Sequence, residues 1–203
     1  MMTVIDPSYE GRHSQMNRRN VREEMIKGAV SLLAERGVHG TSFAVVTEAT
    51  NTPRGSIYHH FPGGKNELIE KAVDSIGGLV TALIDAVDAA TPADVVEVFF
   101  GSWRSALRAS NFDGNCAVAN TAIGAGEDDS LRVASQHVFE KWHRSLTSAF
   151  IRSGADTSAS SDYAAVCIAA AEGALIMGRA SRNDSVFDAL SRQLKLLVSA
   201  SGR

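Results

Sequence analysis

Apolar residues recur at three- and four-residue intervals almost throughout the chain. This is the period of an amphipathic helix, and no segment shows strand-like alternation. Val21, Met25, Ala29, Leu32 and Leu33 predict a first helix running from about Asn17, which can cap it, to Glu35, with Gly37 as its stop. Thr41 or Ser42 can cap a short second helix carrying Phe43, Val46 and Ala49. Asn51 is a turn residue because it tolerates left-handed dihedrals. Thr52 before Pro53 reads as a third helix start, since proline in the first turn loses no needed donor. Phe61-Pro62-Gly63-Gly64 breaks that helix after His59.

A longer apolar stripe predicts a helix from about Lys65 to Ala90, and Thr91-Pro92 ends it and starts the next, which carries Phe99, Phe100, Trp103 and Leu107. Cys116 to Ile123 reads as a short helical segment after a loop, and Glu127 to Ser153 as one long helix. Gly154 to Ser161 is expected to be a polar connection, followed by helices over Asp162 to Ala180 and Val186 to Ser199. The expectation is an all-α fold of about nine helices, dividing into an arm over 1–16, a first domain over 17–65 and a second over 66–203.

Thr41 to Phe61 has the spacing of a helix-turn-helix, in which one helix braces the backbone and the next enters the major groove. Arg54 can reach a phosphate or a guanine edge, and Gly55 allows close approach of the backbone. Thr52, Ser56, Tyr58, His59 and His60 add short polar or aromatic donors. Lys65 begins the following helix, whose N-terminus also favours phosphate. His59-His60 does not suggest a metal site, because adjacent helical residues point in different directions.

The stretch Thr52-Pro53-Arg54-Gly55-Ser56-Ile57-Tyr58-His59-His60-Phe61 resembles the recognition helix of the tetracycline-repressor (TetR) family. Pro62-Gly63-Gly64-Lys65 with Glu67-Leu68 is similar to that family's entry into its fourth helix, in the branch that regulates multidrug-resistance genes and includes flavonoid-responsive members. Asn115 to Asn120 and Ala171 to Leu175 resemble further segments of that branch. Thr50-Asn51 replaces the usual Ala-Gly turn, and Thr47 replaces an alanine, its hydroxyl free to bond a carbonyl one turn back. The resemblance implies a repressor that binds double-stranded DNA as a homodimer and is released by a small molecule, with 17–65 as the helix-turn-helix DNA-binding domain and 66–203 as the ligand-binding and dimerisation domain. It implies phosphate contacts from Thr41, Tyr58, His59 and Lys65, base contacts from Thr52, Arg54 and Ser56, and a core of Val46, Ile57 and Phe61. Arg18 is a candidate for a basic arm on DNA.

In the second half, Phe99, Trp103, Phe139 and Trp142 are candidate walls of an apolar ligand pocket, with Asn120, His143 and Glu172 as its polar groups. Ala164 to Gly178 holds six alanines and two glycines, which let helix backbones approach closely, and the last helix ends in an apolar stripe. A dimer interface through Ala170, Ala174, Met177, Phe187, Leu190 and Leu194 is therefore expected.

Charge changes this picture little. Eight bases against four acids give Arg12 to Lys65 a charge of +4, leaving −7 for the remainder of a chain at −3. That pattern fits a basic contact surface on an acidic body, although scatter can produce it too. A nonspecific DNA-packaging protein would want a strongly basic chain. No apolar run reaches the ~18 residues of a membrane span, and the polar N-terminus lacks a secretory pattern, so a cytoplasmic protein is expected. Gly-x-Ser-x-Gly, phosphate-loop, dinucleotide and metal-spaced motifs are absent from the sequence, and neither an enzyme nor a cofactor is expected. Cys116 and Cys167 are expected to be reduced packing residues.

Overall fold

The computed structural model describes residues 7–200, with side chains from 20 to 199. Within them the chain forms nine helices and no strand: α1 (Pro7–Gly40), α2 (Phe43–Ala49), α3 (Arg54–His60), α4 (Gly64–Asp85), α5 (Pro92–Ala109), α6 (Ala117–Gly124), α7 (Asp129–Arg152), α8 (Thr157–Ser181) and α9 (Ser185–Ala200).

Local chemistry explains most boundaries. Gly37, at φ 66° and ψ −172°, kinks α1 in a conformation open only to glycine. Ser42 caps α2 by accepting the Val45 N–H at 3.3 Å, and Asn51 turns the chain at φ 51°. Thr91 and Asp94 form a reciprocal capping box at the start of α5. Asp128 and Asp156 cap α7 and α8 through their carboxylates.

Several boundaries differ from the sequence expectation. The first helix begins at Pro7, so Asn17 lies inside it rather than at its cap, and proline at the first position again loses no donor. Residues 1–6 of the expected arm and the side chain of Arg18 lie outside the described residues. Pro53 rather than Thr52 occupies the N-cap of α3, and the Thr52 hydroxyl pairs with Thr50 Oγ1 at 2.8 Å. Helix α4 stops at Asp85; the Val87 N–H turns back to Ile84 O at 3.1 Å. Helix α8 starts at Thr157, because the Asp156 cap converts half of the expected connection into helix.

One continuous core runs from Met25 to Val198. Helices α1 to α3 pack on one another, and Val46, Ile57 and Phe61 are fully buried there, as the motif requires. Helix α4 crosses α7 closely at Gly77, where an added Cβ would lie 2.6 Å from Val138. The Trp142 indole donates to Gly77 O at 3.0 Å across the same crossing. Helices α5, α8 and α9 pack together, and short α6 touches α1, α4 and α7. Helix α8 reaches a mean hydropathy of 1.4 over an 18-residue window, enough by length and composition to cross a membrane. Its alanines raise that mean without a continuous run of large apolar residues, and it buries Tyr163, Ala164, Cys167, Ala171, Ala174 and Leu175 in the core.

Candidate functional site

The seven residues of α3 commit only Ile57 fully to the core. Arg54, Gly55, Tyr58 and His59 are exposed, Tyr58 at 68%, and Thr52 and Ser56 are half-buried. A Cβ at Gly55 would meet nothing within 4 Å, so the backbone there is bare. Phe43 of α2 braces the Tyr58 ring edge-on at 5.3 Å. Arg22 lies over the Phe61 ring at 5.1 Å, a cation–π contact that ties α1 to the end of α3.

Two expected phosphate contacts are engaged elsewhere. Thr41 is buried, and its hydroxyl donates to Gly37 O at 2.9 Å. Lys65 Nζ donates to Val38 O at 2.7 Å. Both bond to carbonyls at the corner where α1 breaks at Gly37, and Val38 O takes the Thr41 N–H at 3.3 Å as well. Thr47 bonds back to Ala44 O at 3.0 Å, so its hydroxyl is accommodated in the core.

The second site is a cavity of about 350 Å³ between α4 and α5. These two helices barely touch, and the opening between them is flanked by Leu79 and Leu83, each 56% exposed, and by Val98. Helix α4 supplies Ile76, Leu79, Val80, Leu83 and Ile84, while Val30 and Ala34 come from α1. Phe99, Trp103 and Trp142 form an aromatic wall, with Trp103 edge-on to Phe99 at 5.9 Å and to Trp142 at 5.8 Å. Among the described residues, none that lines the space is charged. Its few polar groups are already engaged: the hydroxyls of Ser102 and Ser110 donate to Val98 O and Leu107 O. The Trp142 N–H is on Gly77 O, and the Asn115 amide bonds within its own segment. Such a space suits a largely apolar, ring-bearing occupant.

Of the seven residues expected at a pocket, three line it: Phe99, Trp103 and Trp142. Phe139 stands behind Trp142 at 5.4 Å. His143 is half-buried but off the wall, with Nε2 at 3.0 Å from Ser161 O. Asn120 donates to Leu33 O and Ala34 O. Glu172 is off the wall; its two carboxylate oxygens are covered and no donor reaches them in hydrogen-bond geometry. Burial raises its pKa to about 7, opposed by the nearby Cys116 thiol. The thiol, which does line the cavity, is itself pushed well above its usual value by burial and then by the Glu172 charge. The wall from Gly114 to Ala117 escaped sequence reading, because only the approach of α1 and α8 makes it a wall.

The expected dimer residues divide by exposure. Met177 is 59% exposed, and Ala170 and Leu190 are half-buried. Ala174, Phe187 and Leu194 are buried within the protomer: the Phe187 ring packs on Phe100 of α5 at 6.3 Å, so the last apolar stripe covers its own domain. What α8 and α9 leave exposed is Val166, Ile176, Met177, Leu196 and Leu197.

Comparisons with known proteins agree with this arrangement. Residues 25–72 match the family described as "Bacterial regulatory proteins, tetR family". Residues 92–193 match "Transcriptional regulator LmrA/YxaF-like, C-terminal domain". An uncharacterized HTH-type transcriptional regulator of Mycobacterium tuberculosis, Rv0196, is 31% identical over 185 residues, spanning 88% of this chain and 94% of its own. The HTH-type transcriptional repressor DhaR of a Mycobacterium species is 25% identical over 184 residues, 85% of this chain and 89% of its own. The crystal structure of a TetR-family regulator from Agrobacterium tumefaciens superposes with a TM-score of 0.78 at 20% identity, covering 89% of this chain and 98% of that one.

Proposed function

The chain belongs to the tetR family of bacterial regulatory proteins, a DNA-binding transcriptional regulator rather than an enzyme; on that premise we propose that it is a cytoplasmic repressor, binding a palindromic operator as a homodimer and released by an apolar, aromatic small molecule. Repression follows the role of the relative DhaR, a transcriptional repressor, and the multidrug-type ligand follows the resemblance noted at Phe61 to Lys65.

The observation that carries this reading is the pairing of a bare polar α3 with an apolar cavity open between α4 and α5, with α1 packed on α3 and also lining the cavity. Arg54, Gly55, Tyr58 and His59 face the groove, joined by Thr52 and Ser56 at its edge. The apolar side chains left exposed on α8 and α9 meet their copies in a second subunit, burying surface that a monomer would show to water. The two α3 helices then stand roughly 34–36 Å apart, one turn of DNA. A ligand pressing on α4 favours a spread state that no longer matches that spacing. A preference of a few kcal/mol shifts the population strongly.

The test is fluorescence anisotropy of the purified protein on DNA upstream of its own gene, at two salt concentrations and against a scrambled duplex. Saturable, selective binding with two chains per duplex at the higher salt supports the reading. Equal, salt-labile binding to both duplexes points instead to charge-driven packaging.

A further inference from the structure

The main run of α1 ends where Gly37 breaks it, which strips its last carbonyls of helical donors. Carbonyls at a helix end need partners, and here side chains and backbone from the far half of the chain supply them. Asn120 Nδ2 donates to Leu33 O at 2.8 Å and to Ala34 O at 3.1 Å. The Asn115 N–H also donates to Ala34 O, at 3.0 Å. Arg179 of α8 donates to Glu35 O at 3.1 Å.

The Asn120 amide is itself held in place. Its Oδ1 accepts from Asn115 Nδ2 at 3.2 Å, and Asn115 Oδ1 accepts the Cys116 N–H at 2.9 Å. At the other end of α6, Gly124 presses on Val38: an added Cβ would lie 3.0 Å from the valine side chain. Val38 O receives Lys65 Nζ, so this corner joins α6, α1 and the start of α4 just before α2 begins.

The segment that caps α1 is also cavity wall: Asn115, Cys116 and Ala117 line the space beside Val30 and Ala34. We propose that Asn115 and Asn120 are the coupling residues of this regulator, carrying occupancy of the cavity to the DNA-binding helices through the carbonyl end of α1. This rests on the ligand-release reading above. Lying between two sites does not by itself transmit anything. What transmits here is a shared set of donors: Asn115 of the cavity wall holds the Asn120 side chain, and Asn120 in turn caps Leu33 O and Ala34 O, so a shift of the wall moves the donors of α1. An occupant that displaces Asn115 to Ala117 shifts the caps and the kink together. Asn120 is therefore a positioning residue rather than a ligand contact.

The test uses full-length protein, its upstream operator duplex and the uncharged fluorescent probe N-phenyl-1-naphthylamine. In the unaltered protein the probe should weaken operator binding by about tenfold or more, within the usual range of allosteric coupling. In Asn120→Ala, probe affinity and operator affinity measured separately should each stay within about threefold, while the coupling factor falls below about threefold. Hydrogen exchange at residues 34–42 should respond to the probe in the unaltered protein and lose that response in the variant. Coupling that survives undiminished in a folded Asn120→Ala overturns the proposal and leaves ligand release standing. A probe that binds the unaltered protein without weakening operator binding overturns ligand release and this proposal together, as does failure of the probe to bind. If Asn120→Ala does not fold, Asn120→Ser keeps a small polar side chain there that is too short to span both Leu33 O and Ala34 O. It should then reduce the coupling factor by about half or more, and an unchanged factor overturns the proposal.

Discussion

The face of α3 and the cavity beneath α5 are built on opposite physical terms. The first is local: a seven-residue helix with one buried anchor, Ile57, whose polar side chains point at water and hold little of the fold together. The second is assembled from stretches of α1, α4, α5 and α7 and the loop before α6, and its walls are at the same time the core of the domain. Changes on α3 should therefore alter DNA binding and leave stability alone, whereas changes around the cavity should alter stability first.

The sharpest way to break this contrast is Trp142→Ala. It removes a fully buried indole and its bond to Gly77 O, and should cost about 3–5 kcal/mol of stability. Urea unfolding followed by circular dichroism reads it directly; an unchanged midpoint would mean the cavity wall is not core. Next comes Glu172→Gln. The folded pKa of about 7 lies above the ordinary 4.5, so the folded state holds the proton more tightly. That stabilisation is complete below pH 4.5 and is lost as pH rises through 7. Unaltered protein should thus lose about 2–3 kcal/mol across that window, and the glutamine variant should not. Equal urea midpoints for the unaltered protein at pH 5 and pH 8 would contradict the burial of this carboxylate.

On the other side, Arg54→Ala should weaken selective DNA binding by about 1–3 kcal/mol, roughly 5- to 150-fold. Its urea midpoint should move by less than the equivalent of about 0.5 kcal/mol. A large stability loss here would place α3 in the core and erase the distinction. The smallest effect is expected of Leu83→Ser, at the exposed mouth of the cavity. Stability should change by less than about 0.5 kcal/mol, while N-phenyl-1-naphthylamine should bind roughly fivefold more weakly for about 1 kcal/mol of lost apolar contact. Unaltered probe affinity would put the entrance elsewhere.

The same contrast explains what could be read in advance. Gly37, the positive-φ turn at Asn51 and the box of Thr91 with Asp94 act on neighbours within a few residues, so the sequence alone determined where those helices stop, turn and begin. The burial of Val46, Ile57 and Phe61 beneath a polar α3 face agrees with what the family resemblance implied for this short motif. The pocket's polar groups were not legible. An apolar neighbourhood marks Asn120 and Glu172 as buried, but it does not say which surface they will face. Asn120 meets carbonyls 86 and 87 positions away, and Glu172 acts on Cys116 without lining the space. Likewise Phe187 could cover its own domain or a second subunit with the same periodicity, and only the packing of α9 on α5 turned it inward. Periodicity along one helix fixes which face is apolar; which partner covers that face depends on contacts between segments far apart in the chain, and those exist only once the helices have packed.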